Sequence, residues 1–174
     1  QPKPPFLSVL YAEQVPPCGG DTLWANMYRA FDTLPPEIRN LVSRLSAVHD
    51  MGAFRNNYLK ENNDIEALNK GMAAFGSAVH PIAPKHPVTG RQLLFVNRSF
   101  TQHIVGMLKA ESDRLLGYLF SHIESANFQV RFRWQKGSVA MWDNRCTQHF
   151  AVADYLPAYR RMHRVIVDTD RRAP

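Results

Sequence analysis

Apolar positions recur with period two in several short runs and with a helical period in a few longer ones. Residues 6–15 are rich in β-formers and predict a strand, closed by the turn residues Pro16-Pro17-Cys18-Gly19-Gly20-Asp21. Thr22-Leu23-Trp24 resumes as a short strand, and a helix is expected over 26–34. A second helix, opened by Pro35-Pro36-Glu37, runs to about 45, with Ile38, Leu41, Val42 and Leu45 on one apolar stripe. Residues 47–50 suggest a strand, 54–58 a loop, and 64–75 a helix capped by Asn63 or Asp64. Strands are expected over 79–82 and 92–96, around the turn His86-Pro87-Val88-Thr89-Gly90. Leu115, Leu116, Leu119, Phe120 and Ile123 mark an amphipathic helix over 109–125. Over 128–134, Phe128, Val130, Phe132 and Trp134 alternate with Gln129, Arg131 and Arg133, a half-buried strand. Residues 138–142 and 160–167 complete the strands, and 168–174 is a polar tail. Many short strands with turn punctuation and a few helices predict a mainly β fold, a sandwich or jelly roll with helical support.

The 174 residues suffice for one domain, 1–174, with its own core. No apolar run is long enough to span a membrane. Cys18 and Cys146 make no disulfide framework, which points to a reducing cytoplasm. Gln1 is neither an initiator Met nor the start of a leader, so a piece of a longer product is expected. The net charge is +6, but Lys and Arg are scattered without a run of four. That pattern argues against nucleic acid and for attraction of small anions.

One stretch concentrates candidate chemistry. An apolar run ends at Trp142, turns through Asp143-Asn144-Arg145 and presents His149. A loop, Ala153-Asp154-Tyr155-Leu156-Pro157, leads to Arg160-Arg161-Met162-His163-Arg164-Val165-Ile166-Val167. Alternation puts Arg160, Met162, Arg164 and Ile166 on one face and Arg161, His163, Val165 and Val167 on the other. Two guanidiniums roughly 13 Å apart on one face suit small carboxylates or sulfonates. His149 is a candidate metal ligand. From the residues alone, an ordinary hydrogen-bonded histidine and salt-bridged arginines fit as well.

Trp142-Asp143-Asn144-Arg145, His149, Asp154-Tyr155-Leu156-Pro157 and Arg160 to Arg164 resemble the C-terminal signature of the taurine dioxygenase family, Fe(II)- and 2-oxoglutarate-dependent oxygenases. Ten residues separate His149 from Arg160, as in that family. Gly19-Gly20-Asp21-Thr22-Leu23-Trp24, His86 to Gly90, Leu94-Phe95-Val96-Asn97 and 128–134 extend the resemblance in the same order. It implies a double-stranded β-helix (jelly roll, cupin-like), of which this chain is the C-terminal two-thirds. It also implies His149 as the distal iron ligand, and Arg160 with Thr22 on the far carboxylate of 2-oxoglutarate. Arg164 would hold the anionic substrate or the near carboxylate, Phe100 would pack on the substrate, and Trp142 would shape the iron site. The other two ligands, a His-X-Asp motif, would lie ahead of Gln1. His122-Ile123-Glu124 has the letter spacing but falls on a helix, where residues two apart diverge. His49-Asp50 lacks the spacer, and His163 lies on the wrong face. The resemblance further implies dioxygen and a small anionic substrate as partners, a homo-oligomer (dimer or tetramer), and an active-site lid near 46–63. A jelly roll without its metal, serving binding or scaffolding, is the alternative.

Overall fold

The computed structural model describes residues 3–51, 66 and 76–168. Its strands are β1 (Leu7–Gln14), β2 (Thr22–Asn26), β3 (Ser46–His49), β4 (Ala78–Pro81), β5 (Thr101–Ile104), β6 (Gln129–Phe132), β7 (Val139–Asp143), β8 (Thr147–Ala151) and β9 (Arg161–Val167). Helices α1 (Met27–Asp32), α2 (Pro36–Val42) and α3 (Lys109–Ile123) lie between them, with a 3-10 turn at Ala126–Phe128. The strands form three antiparallel sheets, ordered β7-β1-β9, β6-β2-β8 and β4-β3-β5. Partners of β1 and β2 come from the far end of the described chain, the non-local antiparallel pairing of a jelly roll.

The first two sheets face each other. On β1, Ser8, Leu10 and Ala12 share a face, and Ser8 and Ala12 are buried. Register carries that face onto Trp142 of β7 and onto Met162, Arg164 and Ile166 of β9. On β2 the matching inward residues are Thr22 and Trp24, opposite Ala151 and His149 of β8. The Trp24 and Trp142 rings meet across the gap, 5.3 Å between centroids. Phe132 and Trp134 extend this aromatic layer, 5.8 and 6.1 Å from Trp24.

The main apolar core lies on the helical side. It joins Met27, Phe31 and Leu34 to Ile82, Leu93, Leu94, Val96 and Ile104, and to Leu116, Leu119 and Ile123 of α3. Asn26 caps α1 by accepting from the Tyr28 and Arg29 amides. Pro36 opens α2, where a missing N–H costs nothing. α3 buries Ser112, Leu116, Leu119, Phe120 and Ile123, a stripe at helical spacing.

Several expected elements change. Residues 92–96 are extended but form no strand. Leu93 and Phe95 donate to the Pro84 and Ile82 carbonyls of one neighbouring segment, beside an isolated Lys85–Gln92 bridge, while the Leu94 amide turns to Met27. Pro84 has no amide to return a bond, so the pairing does not grow into a ladder. The expected strand over 128–134 divides into the 3-10 turn and β6, and Val130 is exposed rather than half-buried. The helices expected over 26–34 and 35–45 are shorter, ended by Pro35 and by turns at 43–45. β5 and β8 were not expected as strands. The expected loop over 54–58 and the tail over 169–174 lie outside the described residues, as does the helix over 64–75 except Glu66. Of the expected lid, only 46–51 is described, and 46–49 is β3. Both cysteines are free. Among the described residues no helix is long and apolar enough to cross a membrane.

Candidate functional site

His149 sits mid-strand on β8, an edge strand with β2 on one side. Its ring lies over Trp142, 5.0 Å between centroids, on the face that looks toward the first sheet. The residue is open to solvent at its rim, yet crowding by protein behind it desolvates the imidazole. That desolvation, and then the charge of Arg164, hold its pKa below the usual histidine value. The imidazole therefore keeps a free lone pair near neutrality, as a metal ligand must. Alternation on β9 holds as expected: Arg164 lies opposite Leu10 on the inward side. His163 and Arg161 both bind Glu13, so His163 has a structural role on the other face.

Arg160 stands just before β9, where the crossover from β8 meets the crossover from β1 to β2. Its Nε donates to the Gly20 carbonyl at 3.1 Å, and its guanidinium lies 5.8 Å from the Tyr155 ring centre. Gly20 has φ +72°, and a Cβ there would come within 3.0 Å of Arg160 Cδ. Glycine is thus required both by the backbone and by the arginine beside it. Asp154 fixes the turn, accepting from the Gly20 amide at 2.8 Å. Arg131 ties the two loops, pairing with Asp21 at 2.6 Å and with Asp154 at 3.5 Å.

Arg160 Nη2 is buried with no hydrogen-bond partner among the described residues, as are the indole nitrogens of Trp24 and Trp142. Unpaired buried donors are costly, and a guanidinium nitrogen especially so. An anion beside Arg160 would supply the acceptor that its guanidinium lacks. Thr22, two residues after Gly20, is almost fully buried. Its oxygen accepts from Trp134 Nε1 at 2.9 Å.

Phe100 is held by its amide, which donates to Asn97 Oδ1 at 2.8 Å. It lines a cavity of about 730 Å³ together with His149, Phe150, Gln148, Leu23 and Ala25. Those residues come from both faces of the β2–β8 pair, so the cavity wraps the open edge of β8. It joins Phe100 to His149; Thr22, Arg160 and Arg164 are not among its lining residues.

A further cluster was not foreseen. The Asp143 carboxylate accepts from Arg145 Nε and Nη2, from the Arg145 amide, and from His86 Nε2 at 3.0 Å. Burial would raise this carboxyl, but the hydrogen bonds from Arg145 and His86 outweigh it and hold the pKa low. His86 Nδ1 accepts from the Val88 and Thr89 amides. This joins two motifs that the resemblance named separately. His86, Asp143 and Cys146 hold their ligand atoms within 4.8 Å of one another. Both imidazole nitrogens and the carboxylate are already engaged, so the cluster works as a clamp. The signal available in the sequence was only that both motifs carry charge beside a turn. His122 is no ligand either: its Nε2 serves the Ala30 carbonyl at 2.8 Å, while Glu124 pairs with Arg98.

With this geometry in view, known proteins supply the context. An alpha-ketoglutarate-dependent dioxygenase (cnsM) of Penicillium expansum is 41% identical over 150 residues, 86% of this chain and 41% of the relative. An alpha-ketoglutarate-dependent sulfate ester dioxygenase of Pseudomonas putida is 38% identical over 165 residues, 92% of this chain and 54% of the relative. A crystal structure described as a putative alpha-ketoglutarate-dependent taurine dioxygenase from Burkholderia xenovorans superposes with a TM-score of 0.82 at 34% identity, covering 97% of this chain and 56% of that one. The chain thus spans about half the length of the relatives it matches. The family model for the taurine catabolism dioxygenase TauD, TfdA family matches residues 1–166, and the chain belongs to that family.

Proposed function

We propose that this chain forms part of an Fe(II)- and 2-oxoglutarate-dependent dioxygenase that hydroxylates a small anionic organic substrate. The bound Fe(II), with 2-oxoglutarate and dioxygen, supplies oxidative hydroxylation coupled to decarboxylation of 2-oxoglutarate to succinate. The observation that carries the reading is Arg160: a buried guanidinium nitrogen without an acceptor among the described residues, held at the junction of the two crossovers by the Gly20 carbonyl.

Each residue has a part. His149 offers an unprotonated ring nitrogen as one metal ligand. Arg160 offers a planar fork to the far carboxylate of 2-oxoglutarate, and Thr22 a hydroxyl proton to the same group. Arg164, close enough to bias His149, holds an anion next to the metal. Phe100 packs against the apolar part of the substrate at the mouth of the cavity, and the Trp142 ring fixes the tilt of His149.

The substrate class follows from the second arginine and from relatives named for sulfate esters and sulfonates. Sulfate esters and sulfonates both put a permanent anion where Arg164 can pair with it. Hydroxylation of the carbon bearing a sulfate gives an unstable adduct that expels sulfate and leaves an aldehyde.

The test uses the full-length gene product. It should form succinate from 2-oxoglutarate with Fe(II), faster when an alkyl sulfate or sulfonate is added, and His149→Ala should lose both iron and turnover. Iron-loaded protein that makes no succinate with any such anion would point instead to a binding jelly roll.

A further inference from the structure

Resting on the reading of Thr22 as a contact to 2-oxoglutarate, we infer that Trp134 is a positioning residue for that hydroxyl. A threonine hydroxyl is a rotor with one proton to give and two lone pairs to receive. Left alone, its proton points wherever an acceptor is found. Here the indole Nε1–H of Trp134 donates to the Thr22 oxygen at 2.9 Å. An indole nitrogen donates only and cannot receive. The Thr22 proton is therefore turned away from Trp134. Among the described residues nothing accepts it, and Thr22 is only 1% exposed.

The neighbourhood makes the consequence specific. Two residues back along the chain, the Gly20 carbonyl receives Arg160 Nε, and Arg160 Nη2 also lacks an acceptor among the described residues. Two buried donors therefore wait beside one turn, and Trp134 narrows the directions open to one of them by closing the side it occupies. Trp134 is itself well packed: it is 6% exposed and lies edge-on against Phe132 at 5.0 Å. Its contribution is a hydroxyl set in advance, so that binding the carboxylate does not first require the rotor to be ordered.

Trp134→Phe removes the N–H and keeps most of the ring. In the full-length, Fe(II)-loaded protein under anaerobic conditions, calorimetric titration with 2-oxoglutarate should show affinity reduced about three- to tenfold, the range of a single neutral hydrogen bond. Thr22→Val should show a loss at least as large, Thr22→Ser nearly none, and the double variant no more loss than Thr22→Val. In steady state, the Trp134→Phe defect should fall on KM for 2-oxoglutarate, with kcat preserved. Native affinity in Trp134→Phe alongside a weakened Thr22→Val would overturn the inference alone. So would additive losses in the double variant. Native affinity in Thr22→Val would instead remove the contact on which the inference rests. Should Trp134→Phe not fold, the indole 15N–H resonance of Trp134 in Zn(II)-loaded protein reports the same coupling. It should shift on adding N-oxalylglycine and stop responding in Thr22→Val; an unmoved resonance in the wild-type protein would overturn the inference.

Discussion

At the scale of single residues, His49 shows how burial alone changes a side chain's chemistry. It ends β3, is 8% exposed, and lies against Phe95 and His80 with ring centroids 5.6 and 5.2 Å away. Burial first, then repulsion from His80, push its pKa down to about 4, while Asp50 partly opposes this. A histidine that stays neutral when folded but takes a proton when unfolded stabilises the unfolded state in acid. Below the ordinary value near 6.5 the unfolded chain binds more protons, so stability falls as pH drops from about 6.5 to about 4 and then levels. The full effect is at most about 3–4 kcal/mol at 1.36 kcal/mol per pKa unit. His49→Phe keeps the ring and removes the titration. Urea unfolding at pH 7 and pH 4.5 should show a smaller loss of stability in the variant than in the parent. Equal losses in both would mean that His49 does not titrate as its surroundings demand. The sequence placed His49 in a strand and away from the ligands. Its burial was not legible there, because it depends on β4 and Phe95, which arrive from later in the chain.

Elements were legible where their pattern is local. The α3 stripe and the alternation of β9 are written in consecutive residues, and both appear as read. β8 was not legible: Thr147-Gln148-His149-Phe150-Ala151 has no clean apolar alternation, and it becomes a strand through its ladder with β2. Residues 92–96 misled for the opposite reason. Leu93, Leu94 and Val96 are buried, but the segment they run beside carries Pro84, which has no amide to give, and the Leu94 amide goes to Met27 instead. β5 was missed because Thr101-Gln102-His103-Ile104 buries only its ends. Part of what holds it lies on a helix. The Ile104 amide donates to Ser112 Oγ at 2.8 Å, and Ser112 is completely buried on α3. Ser112→Ala leaves that buried amide without its partner, a cost of about 1–3 kcal/mol. Thermal or urea unfolding of the variant should register that loss, whereas Ser112→Thr should recover part of it if the added methyl fits. A Ser112→Ala protein as stable as the parent would show that the α3–β5 bond carries no weight.

For the whole molecule, what matters is how the two facing sheets exchange their chain. Residues 15–21 carry the chain from β1 in the first sheet to β2 in the second, and residues 152–160 carry it back from β8 to β9. The two crossovers are bound together by Asp154 on the Gly20 amide, by the Val152 amide on the Asp21 carbonyl, and by Arg131 on Asp21 and Asp154. Arg160 hangs from that junction through Gly20. This explains why the Gly-Gly-Asp run and the Asp154-Tyr155-Leu156-Pro157 run travelled together in the resemblance, though each looks like an ordinary turn in the sequence. Because Arg131 and Asp154 are well exposed, their ion pair contributes little to stability. Their effect should fall on placement. Asp154→Ala frees the Gly20 amide and with it the carbonyl that orients Arg160. In the full-length enzyme it should raise the KM for 2-oxoglutarate several-fold while Tm moves by only a few degrees. Asp154→Asn keeps an oxygen for the Gly20 amide and gives up the charge. Near-native KM in Asp154→Asn would assign the effect to the hydrogen bond, and a KM as poor as that of Asp154→Ala would assign it to the pairing with Arg131. Unchanged KM in both variants would mean that Arg160 keeps its place without the junction, held by Gly20 and Tyr155 alone.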